Sequence, residues 1–533
     1  MIFTSPHPAV PIPEGKTIWN MLELHARERG DKPAFVCGIT DKVLTYAETL
    51  KKAEAICAGL AARGIKKGDV VILHSLNCVE YPVVFLALNR LGAICSPSPS
   101  MFSGKELAQQ VKIAKATAVI SHKMLAPAAV EAAQLGGIEL QRVFIFGQGE
   151  GSFAAETLES LTAEDLPLNL PAMDPMDVVT LPFSSGTTGR PKGVELTGYA
   201  MLAMSAQLSA VEKGMPCYLG MLPFFHILTS LMFHATIFKG IGMVVLPRFE
   251  PETFLGAVQK YRLEHLTLVP PLVLFLAKHP IVDKFDLSSV KTIWSAGAPL
   301  GKEVERAVTK RMSALVLQGY GMTEFAGGVS HCNVTHTREG STGLLLPNVA
   351  MKVKDLETDE DLSTNKTGEL LFKTPSMMKG YYNDPEANRA TFTSDGFIRT
   401  GDIGYIDQDG YVFIVDRLKE LIKYKGHQVA PAELEDVLNH HPSVVASCCV
   451  RGFDAATGEE IPKAFVVLKE GEALTEEELM SFVASKVTGY KRVREVEFIS
   501  EIPKSASGKV LRKGLQQLES KAIKTTKKLQ SRL

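Results

Sequence analysis

Net charge is nearly absent from this sequence. Fifty-eight Lys and Arg stand against 59 Asp and Glu, a formal charge of −1 at pH 7. No global field therefore draws the chain to nucleic acid or anionic lipid, and any anionic ligand must be held by local groups. Metal-type cysteine spacing is missing as well. The eight Cys, at 37, 57, 78, 95, 217, 332, 448 and 449, form no C-x-x-C pair and have no His partner at zinc spacing. Thiols scattered in this way read as buried or free and suit a reducing compartment. The first eight residues, Met1-Ile-Phe-Thr-Ser-Pro-His-Pro8, show no basic stretch leading into an apolar core, so no signal peptide is expected. Repeats and low-complexity tracts are also lacking. With 45% hydrophobic and 22% charged residues, neither a disordered polyelectrolyte nor a membrane bundle fits.

Only one stretch is apolar for long. Residues 219–238 carry no formal charge, which raises the question of a membrane span. Pro223, His226 and His234 are costly at bilayer depth. The segment also divides into a strand ending near His226, a helix over 228–238 and a strand over 243–246, so it is expected to be core rather than a transmembrane segment.

A chain of 533 residues has room for roughly three to four units. Through residue 350, apolar runs such as Val70-Val-Ile-Leu73, Ala118-Val-Ile-Ser121, Arg142-Val-Phe-Ile-Phe146 and Lys291-Thr-Ile-Trp294 alternate with helical segments such as 45–63. That alternation predicts layered α/β subdomains with mostly parallel sheet. After Gly343 the texture changes to short strands and Gly/Asp turns, predicting a small antiparallel barrel or sheet. Beyond Asp416 a compact α+β unit is expected, with a helix from Pro431, strands over 444–450 and 464–468, and a second helix over 476–486. The division is thus a large N-terminal domain over 1–416, a smaller mobile C-terminal domain over 417–518, and a basic tail over 519–533.

Residues 184–193 read Ser-Ser-Gly-Thr-Thr-Gly-Arg-Pro-Lys-Gly, directly after the strand-like 178–183. Small residues let backbone N–H groups approach phosphate oxygens, hydroxyls add donors, and Lys192 supplies a point charge. A polyphosphate is the implied guest. The run is not a Walker A loop, because Val194 and Glu195 follow Gly193 where that loop needs Lys and Ser or Thr.

This string resembles the signature of the adenylate-forming superfamily, which comprises acyl-CoA synthetases, luciferases and peptide-synthetase adenylation domains. Five further stretches resemble the same family in order and spacing: Ser295-Ala-Gly-Ala-Pro-Leu-Gly301, Gln318-Gly-Tyr-Gly-Met-Thr-Glu324, Thr400-Gly-Asp402, Asp416-Arg-Leu-Lys-Glu-Leu-Ile-Lys-Tyr-Lys-Gly426 and Pro503-Lys-Ser-Ala-Ser-Gly-Lys509. Within the superfamily the chain is most similar to 4-coumarate:CoA ligase and related acyl-CoA ligases, a likeness that Gln428-Val-Ala-Pro-Ala-Glu433 strengthens.

The resemblance implies two half-reactions. A carboxylate attacks the α-phosphate of ATP to give an acyl adenylate and pyrophosphate, and coenzyme A then releases AMP. It implies that Lys509 is the principal cation of the first step and that Ser184, Ser185, Gly186, Thr187, Thr188, Gly189 and Lys192 cradle phosphate. Gly297, Ala298, Pro299, Gln318, Gly319 and Tyr320 would line the adenine site, Thr323 would donate to the α-phosphate, and Glu324 would hold Mg2+. Asp402 would accept the ribose hydroxyls, with Arg417 and Lys419 nearby. A turn-stabilising Asp is the alternative for Asp402 on turn chemistry alone. His226, in Pro223-Phe-Phe-His226, would position the carboxylate and gate thiol entry.

Rotation of the C-terminal domain about a hinge near 416–419 would remove Lys509 and present Lys423, Lys425, Gly426 and Gln428, with Arg248 as a candidate contact for a coenzyme A phosphate. The acyl pocket would be lined by Leu228, Met232, Trp294, Gly297, Gly321, Gly328 and Val329. Bulky Trp294 and Met232 alter one wall there, so the acid is open between hydroxycinnamates, other aryl acids and medium-chain or longer fatty acids. A luciferase-like oxygenase and a non-catalytic nucleotide-binding protein stay as alternatives. Ser531-Arg532-Leu533 resembles the S-K-L peroxisomal address and implies an import receptor as partner and the peroxisome as location, the cytoplasm being the alternative.

Overall fold

A computed structural model describes residues 1–147, 156–161, 170, 172–184, 191–212, 214–298, 300–425, 427–454, 457, 459–504, 510–512 and 514–516. The widest sheet is built on apolar runs too continuous for a one-sided strand. Every residue of Val70–His74 and Ala118–His122 is buried, as expected for strands covered on both faces. These two strands pair in parallel at the centre. Val143–Phe146 and Glu156–Thr157 extend the parallel sheet on one side, Ile94–Ser98 and Val178–Thr180 on the other. Helices Tyr46–Ala62 and Gly104–Ala114 start at capping boxes, Thr45 with Glu48 and Ser103 with Glu106, which satisfy N–H groups that the helix itself leaves unbonded.

Beyond Val178–Thr180 the direction reverses. Lys192–Thr197 joins antiparallel, and Phe183–Ser184 and Gly380–Tyr381 pair with it. The single strand expected over 178–183 is therefore two short ones. Pro182 has no N–H to give a ladder, and the chain changes partner there: Leu181 N–H bonds the Cys95 carbonyl, and Val194 N–H bonds that of Pro182.

Two further sheets share the layered arrangement. Cys217–Gly220, Gly242–Val245 and Pro33–Cys37 run parallel, with Val43–Thr45 antiparallel at the edge. His265–Leu268, Thr292–Ser295 and Leu315–Met322 also run parallel, and Gly327–His331 then folds back antiparallel on the last of them. The long apolar run resolves as strand Cys217–Gly220, a turn, helix Ile227–Lys239 and strand Gly242–Val245. The first strand stops six residues before His226, because Pro223 and the bond from His226 N–H to its carbonyl (3.0 Å) make the approach to the helix a turn. Among the described residues no helix is long and apolar enough to cross a membrane.

The antiparallel sheet after Gly343 is present: Ala350–Lys354, Gly368–Lys373, Ile398–Ile406 and Val412–Arg417 pair in that order. One strand comes from an unexpected place, since Phe3–Thr4 pairs with Met351 and Ala350 at the sheet's edge. The last strand runs one residue past the expected junction, with Arg417 opposite Asp402.

The chain then forms a hairpin, Ile422–Tyr424 with His427–Val429, followed by helix Pro431–Asn439, strands Val444–Phe453, Glu460–Leu468 and Glu495–Phe498, and helix Glu476–Ala484. This unit has its own core, made by Ile422, Val429, Leu434, Leu438, Val444, Ala464, Val466, Leu479 and Val483. All eight cysteines are free thiols, five of them buried.

Candidate active site

The two described ends of the Ser/Gly/Thr run face each other across an antiparallel ladder. Ser184 lies opposite Lys192 and Phe183 opposite Gly193, so the ladder pins both ends of the intervening loop. Ser185, Gly186, Thr187, Thr188 and Gly189, on that loop, lie outside the described residues. Lys192 Nζ sits 4.8 Å from the centre of the Tyr381 ring, a cation–π contact.

Glu324 comes to the same place from another sheet. Strand Leu315–Met322 ends in the short turn Thr323–Phe325, which buries Glu324 to 3% exposure. Its Oε1 accepts from Ser184 Oγ and from Tyr381 Oη, each at 2.9 Å, and its carbonyl accepts from Met378 N–H at 2.7 Å. Thr323 is the first residue of that turn. Gly321, just before it, is fixed by crowding: a Cβ there would stand 1.9 Å from the Gly327 carbonyl oxygen.

Gln318 clamps the loop that follows strand Thr292–Ser295. Leu300 N–H donates to its Oε1 at 3.3 Å, while its Nε2 donates to the Leu300 carbonyl and to Glu305, each at 3.4 Å. Gly297 and Ala298 ride on this loop, and Pro299 lies outside the described residues. Gly319 follows Gln318 and packs against the facing strand Gly327–His331.

Tyr320 Oη donates to Asp402 Oδ2 at 2.5 Å, and Arg417 Nε lies 3.4 Å from the other oxygen of that carboxylate. Burial first, then the Asp402 charge, hold the Tyr320 hydroxyl well above the ordinary phenol range, so it is a donor at any working pH. Asp402 is 6% exposed and lies inside strand Ile398–Ile406, so the turn reading of Thr400-Gly-Asp402 does not hold. Gly401, at φ +68°, supplies the bend in the strand just before it, a backbone state that suits glycine.

His226 is the N-cap of helix Ile227–Lys239: its Nδ1 accepts from Leu228 N–H at 3.3 Å. Because Nδ1 is the acceptor, a neutral ring carries its proton on Nε2 and offers a donor there. Leu228 and Met232 follow on the same helix, with Met232 in the main core. Val329 is also in that core. Gly328 faces the other way, and a Cβ on it would meet Leu346 at an ordinary 3.4 Å. Trp294, in strand Thr292–Ser295, stands in edge-to-face contact with His331. Arg248 is exposed after strand Gly242–Val245.

The C-terminal candidates form a second group. Lys423 and Gln428 are an opposed pair on the Ile422–Tyr424 hairpin, both exposed, and Lys423 N–H donates to Glu460 at 2.7 Å. Lys425 is exposed at the hairpin turn, with Nζ 5.5 Å from the Tyr424 ring centre. Lys419 lies between Arg417 and the hairpin along the chain, its Nζ 3.9 Å from Glu420. Gly426 and Lys509 lie outside the described residues. Lys504 and Val510 form an isolated bridge, and the Arg512 guanidinium grips both oxygens of Glu435.

Sequence reasoning missed Tyr381 and Arg512. Arg512 carried no distinguishing mark among 58 basic residues. Tyr381 had a faint one: it precedes Asp384 and Pro385, the N-cap and first residue of helix Pro385–Thr391, so its place at a strand-to-helix junction was visible.

The sequence model for AMP-binding enzymes matches residues 22–382, and the model for the C-terminal domain of those enzymes matches 433–509. The chain belongs to the AMP-binding enzymes.

Within the adenylate-forming superfamily, this AMP-binding enzyme falls among the 4-coumarate:CoA ligase-like acid–thiol ligases. It is 38% identical to the probable CoA ligase CCL5 of Humulus lupulus, over 98% of its own length and 96% of the relative's. It is equally similar to 4-coumarate–CoA ligase 2 of Oryza sativa subsp. japonica, over 97% and 94% of the two chains. Among solved structures it resembles ATP-bound MatB from Rhodopseudomonas palustris, with a TM-score of 0.85 at 27% identity, over 94% and 99% of the chains.

Proposed function

We propose that this AMP-binding enzyme activates an aryl-substituted or medium-chain carboxylic acid as its acyl adenylate, with release of pyrophosphate, and passes the acyl group to coenzyme A. The observation that carries the reading is the convergence of the phosphate hairpin, Glu324 and the Tyr320–Asp402–Arg417 cluster from three different sheets.

A carboxylate attacking a phosphate brings negative groups together, and fixed donors and cations lower the cost of doing so. Lys192 at the hairpin base and Lys509 on the C-terminal loop are assigned to that charge. His226 orients the acid through its Nε2 proton. Ser184, Glu324 and Thr323 set the phosphate end, and Asp402 with Arg417 sets the sugar end. The exposed face with Lys423, Lys425 and Gln428, together with Gly426 and Arg248, is assigned to the thiol half-reaction.

Glu324 is the residue that would hold Mg2+. A single buried carboxylate beside a phosphate loop fits an ion that takes one or two carboxylates and completes its shell with phosphate oxygens and water. When bound, the ion neutralises phosphate charge. Two hydroxyl donors on one oxygen leave the carboxylate with acceptor capacity.

ATP–pyrophosphate exchange across a panel of aryl and aliphatic acids, followed by coenzyme A addition and thioester detection, tests the reading. Exchange with no acid would sink it. For location, we propose peroxisomal import through Ser531-Arg532-Leu533, and an unchanged cellular distribution after deletion of Leu533 discards that part.

A further inference from the structure

Just past the central strand Val70–His74, the side chain of Asn77 is buried against the turn over residues 221–225 that carries the chain into His226. Its Nδ2 donates to the Leu222 carbonyl at 2.8 Å and to the Met221 carbonyl at 3.2 Å, with the Gly220 carbonyl at 3.5 Å, and its Oδ1 accepts from Phe224 N–H at 2.8 Å. Both faces of the amide are in use. Strand pairing ends with Gly220 opposite Val245 and the helix begins at Ile227, so the backbone groups between them lie outside both the ladder and the helix. Buried groups in that position need side-chain partners. Asn is the residue that fits: Asp has no donor for the carbonyls, Leu offers neither group, and Gln is one methylene longer.

The ring of Phe224 holds the same turn a second time. Tyr81, in the first turn of helix Glu80–Leu91, meets it edge-on at 5.3 Å, and Phe233 meets it at 6.0 Å from the helix that His226 caps. Gly220 leaves the space, since a Cβ there would stand 2.9 Å from the Phe224 ring. With its N–H and its ring both gripped, Phe224 is fixed, and His226 follows two residues later. A displacement of about 1 Å in a group that orients a reactant can cost about a hundredfold in rate, so what holds this turn bears on chemistry.

We infer that Asn77 is a positioning residue for the acid-activating step: by bonding Met221, Leu222 and Phe224 it sets where the His226 ring stands, and it acts through that ring rather than on the acid. This rests on the proposed role of His226 in orienting the carboxylate. The nucleotide contacts are built elsewhere, by Ser184 with Glu324 and by Tyr320 with Asp402, and none of them runs through the 221–225 turn. Loss of Asn77 therefore falls on the acid and not on ATP.

The test is a double-mutant cycle between Asn77→Ala and His226→Ser, the serine keeping a helix cap while removing the ring. In the otherwise unmodified enzyme, Asn77→Ala is expected to lower kcat/KM for the acid in pyrophosphate exchange by about tenfold or more, while the KM for ATP changes by less than about twofold. In the His226→Ser background the same change is expected to cost less than about twofold. Equal losses in the two backgrounds, or equal effects on acid and ATP, overturn the inference. AMP calorimetry checks the fold of each variant, and where Asn77→Ala does not bind AMP the cycle is run with Asn77→Asp, which keeps the acceptor for Phe224 and loses the donors. A second readout is independent of turnover. In histidine-labelled protein the ring signal of His226, one of 13, is identified by its loss in His226→Ser and is expected to move in the Asn77 variant, and an unmoved signal overturns the inference. A moved signal without exchange on any acid strikes down the ligase reading and leaves Asn77 in its place behind His226. Exchange with equal losses does the reverse.

Discussion

Tyr381 gives its phenol proton to Glu324 at 2.9 Å and turns the face of the same ring to Lys192, with 4.8 Å between Nζ and ring centre. One aromatic side chain thus holds the buried acid and the Lys192 ammonium in fixed relation. Its hydroxyl stays protonated, because burial and then the Glu324 charge drive its pKa far above the ordinary phenol value.

Tyr381→Phe keeps the ring and removes the donor. It is expected to cost about 1–3 kcal/mol of stability in urea unfolding and to raise the KM for ATP several-fold, with a smaller effect on kcat. An unchanged KM would mean that Glu324 is positioned without Tyr381.

Tyr320 and Asp402 are expected to act as a unit. In AMP binding followed by calorimetry, the double-mutant cycle of Tyr320→Phe and Asp402→Asn should show a coupling of about 1–3 kcal/mol. Additive losses would indicate that the nucleotide meets the two side chains independently.

The two half-reactions are separable by mutation. Lys509→Ala should abolish pyrophosphate exchange while sparing thioester formation from preformed adenylate, whereas Lys425→Ala should leave exchange in place and slow the second step. Normal adenylation by Lys509→Ala would remove that lysine from its assigned role.

Asp416 predicts a pH dependence. Burial raises its carboxyl from 3.8 to about 6, against the pull of hydrogen bonds from the Ala432 and Arg417 N–H groups. Between those values the folded protein holds a proton that the unfolded chain has released. Stability from this group is therefore full below the unfolded value and is lost as pH rises toward about 6, by at most about 3 kcal/mol. Urea unfolding from pH 4 to 7 should show a decline that Asp416→Asn flattens. An identical slope in both proteins would place the titration elsewhere.

Much of the fold and part of the site were legible because they are written locally. Continuous apolar runs marked the buried parallel strands, and Pro431 marked a helix start. The Ser/Gly/Thr string was legible as a break between strands, and its ends pair as Ser184 with Lys192. Features that depend on distant pairing were not visible. Phe3–Thr4 reaches the antiparallel sheet only through contacts some 350 residues away, and Tyr381 reaches Glu324 through the pairing of Gly380–Tyr381 with Lys192–Thr197. His226 was marked as a site residue, but its local job as a helix cap was hidden by the apolar residues before it, which read as a strand ending there. Asn77 and Phe224 lie far apart along the chain, and no pattern joins them before the fold does.

The cysteines, which excluded a metal cluster at the outset, have a practical use. Burial raises the thiols of Cys57, Cys78 and Cys448 to about 12 and that of Cys217 to about 11, and pushes Cys95, Cys332 and Cys449 upward as well. Thiols with so little thiolate at neutral pH react slowly with maleimides and iodoacetamides. A pair of cysteines introduced on the surface, one on the large N-terminal part and one on helix Glu476–Ala484, is therefore expected to take fluorescent dyes selectively without stripping out most of the native ones. Energy transfer between those dyes during a single turnover would test whether the C-terminal unit rotates about a hinge near 416–419.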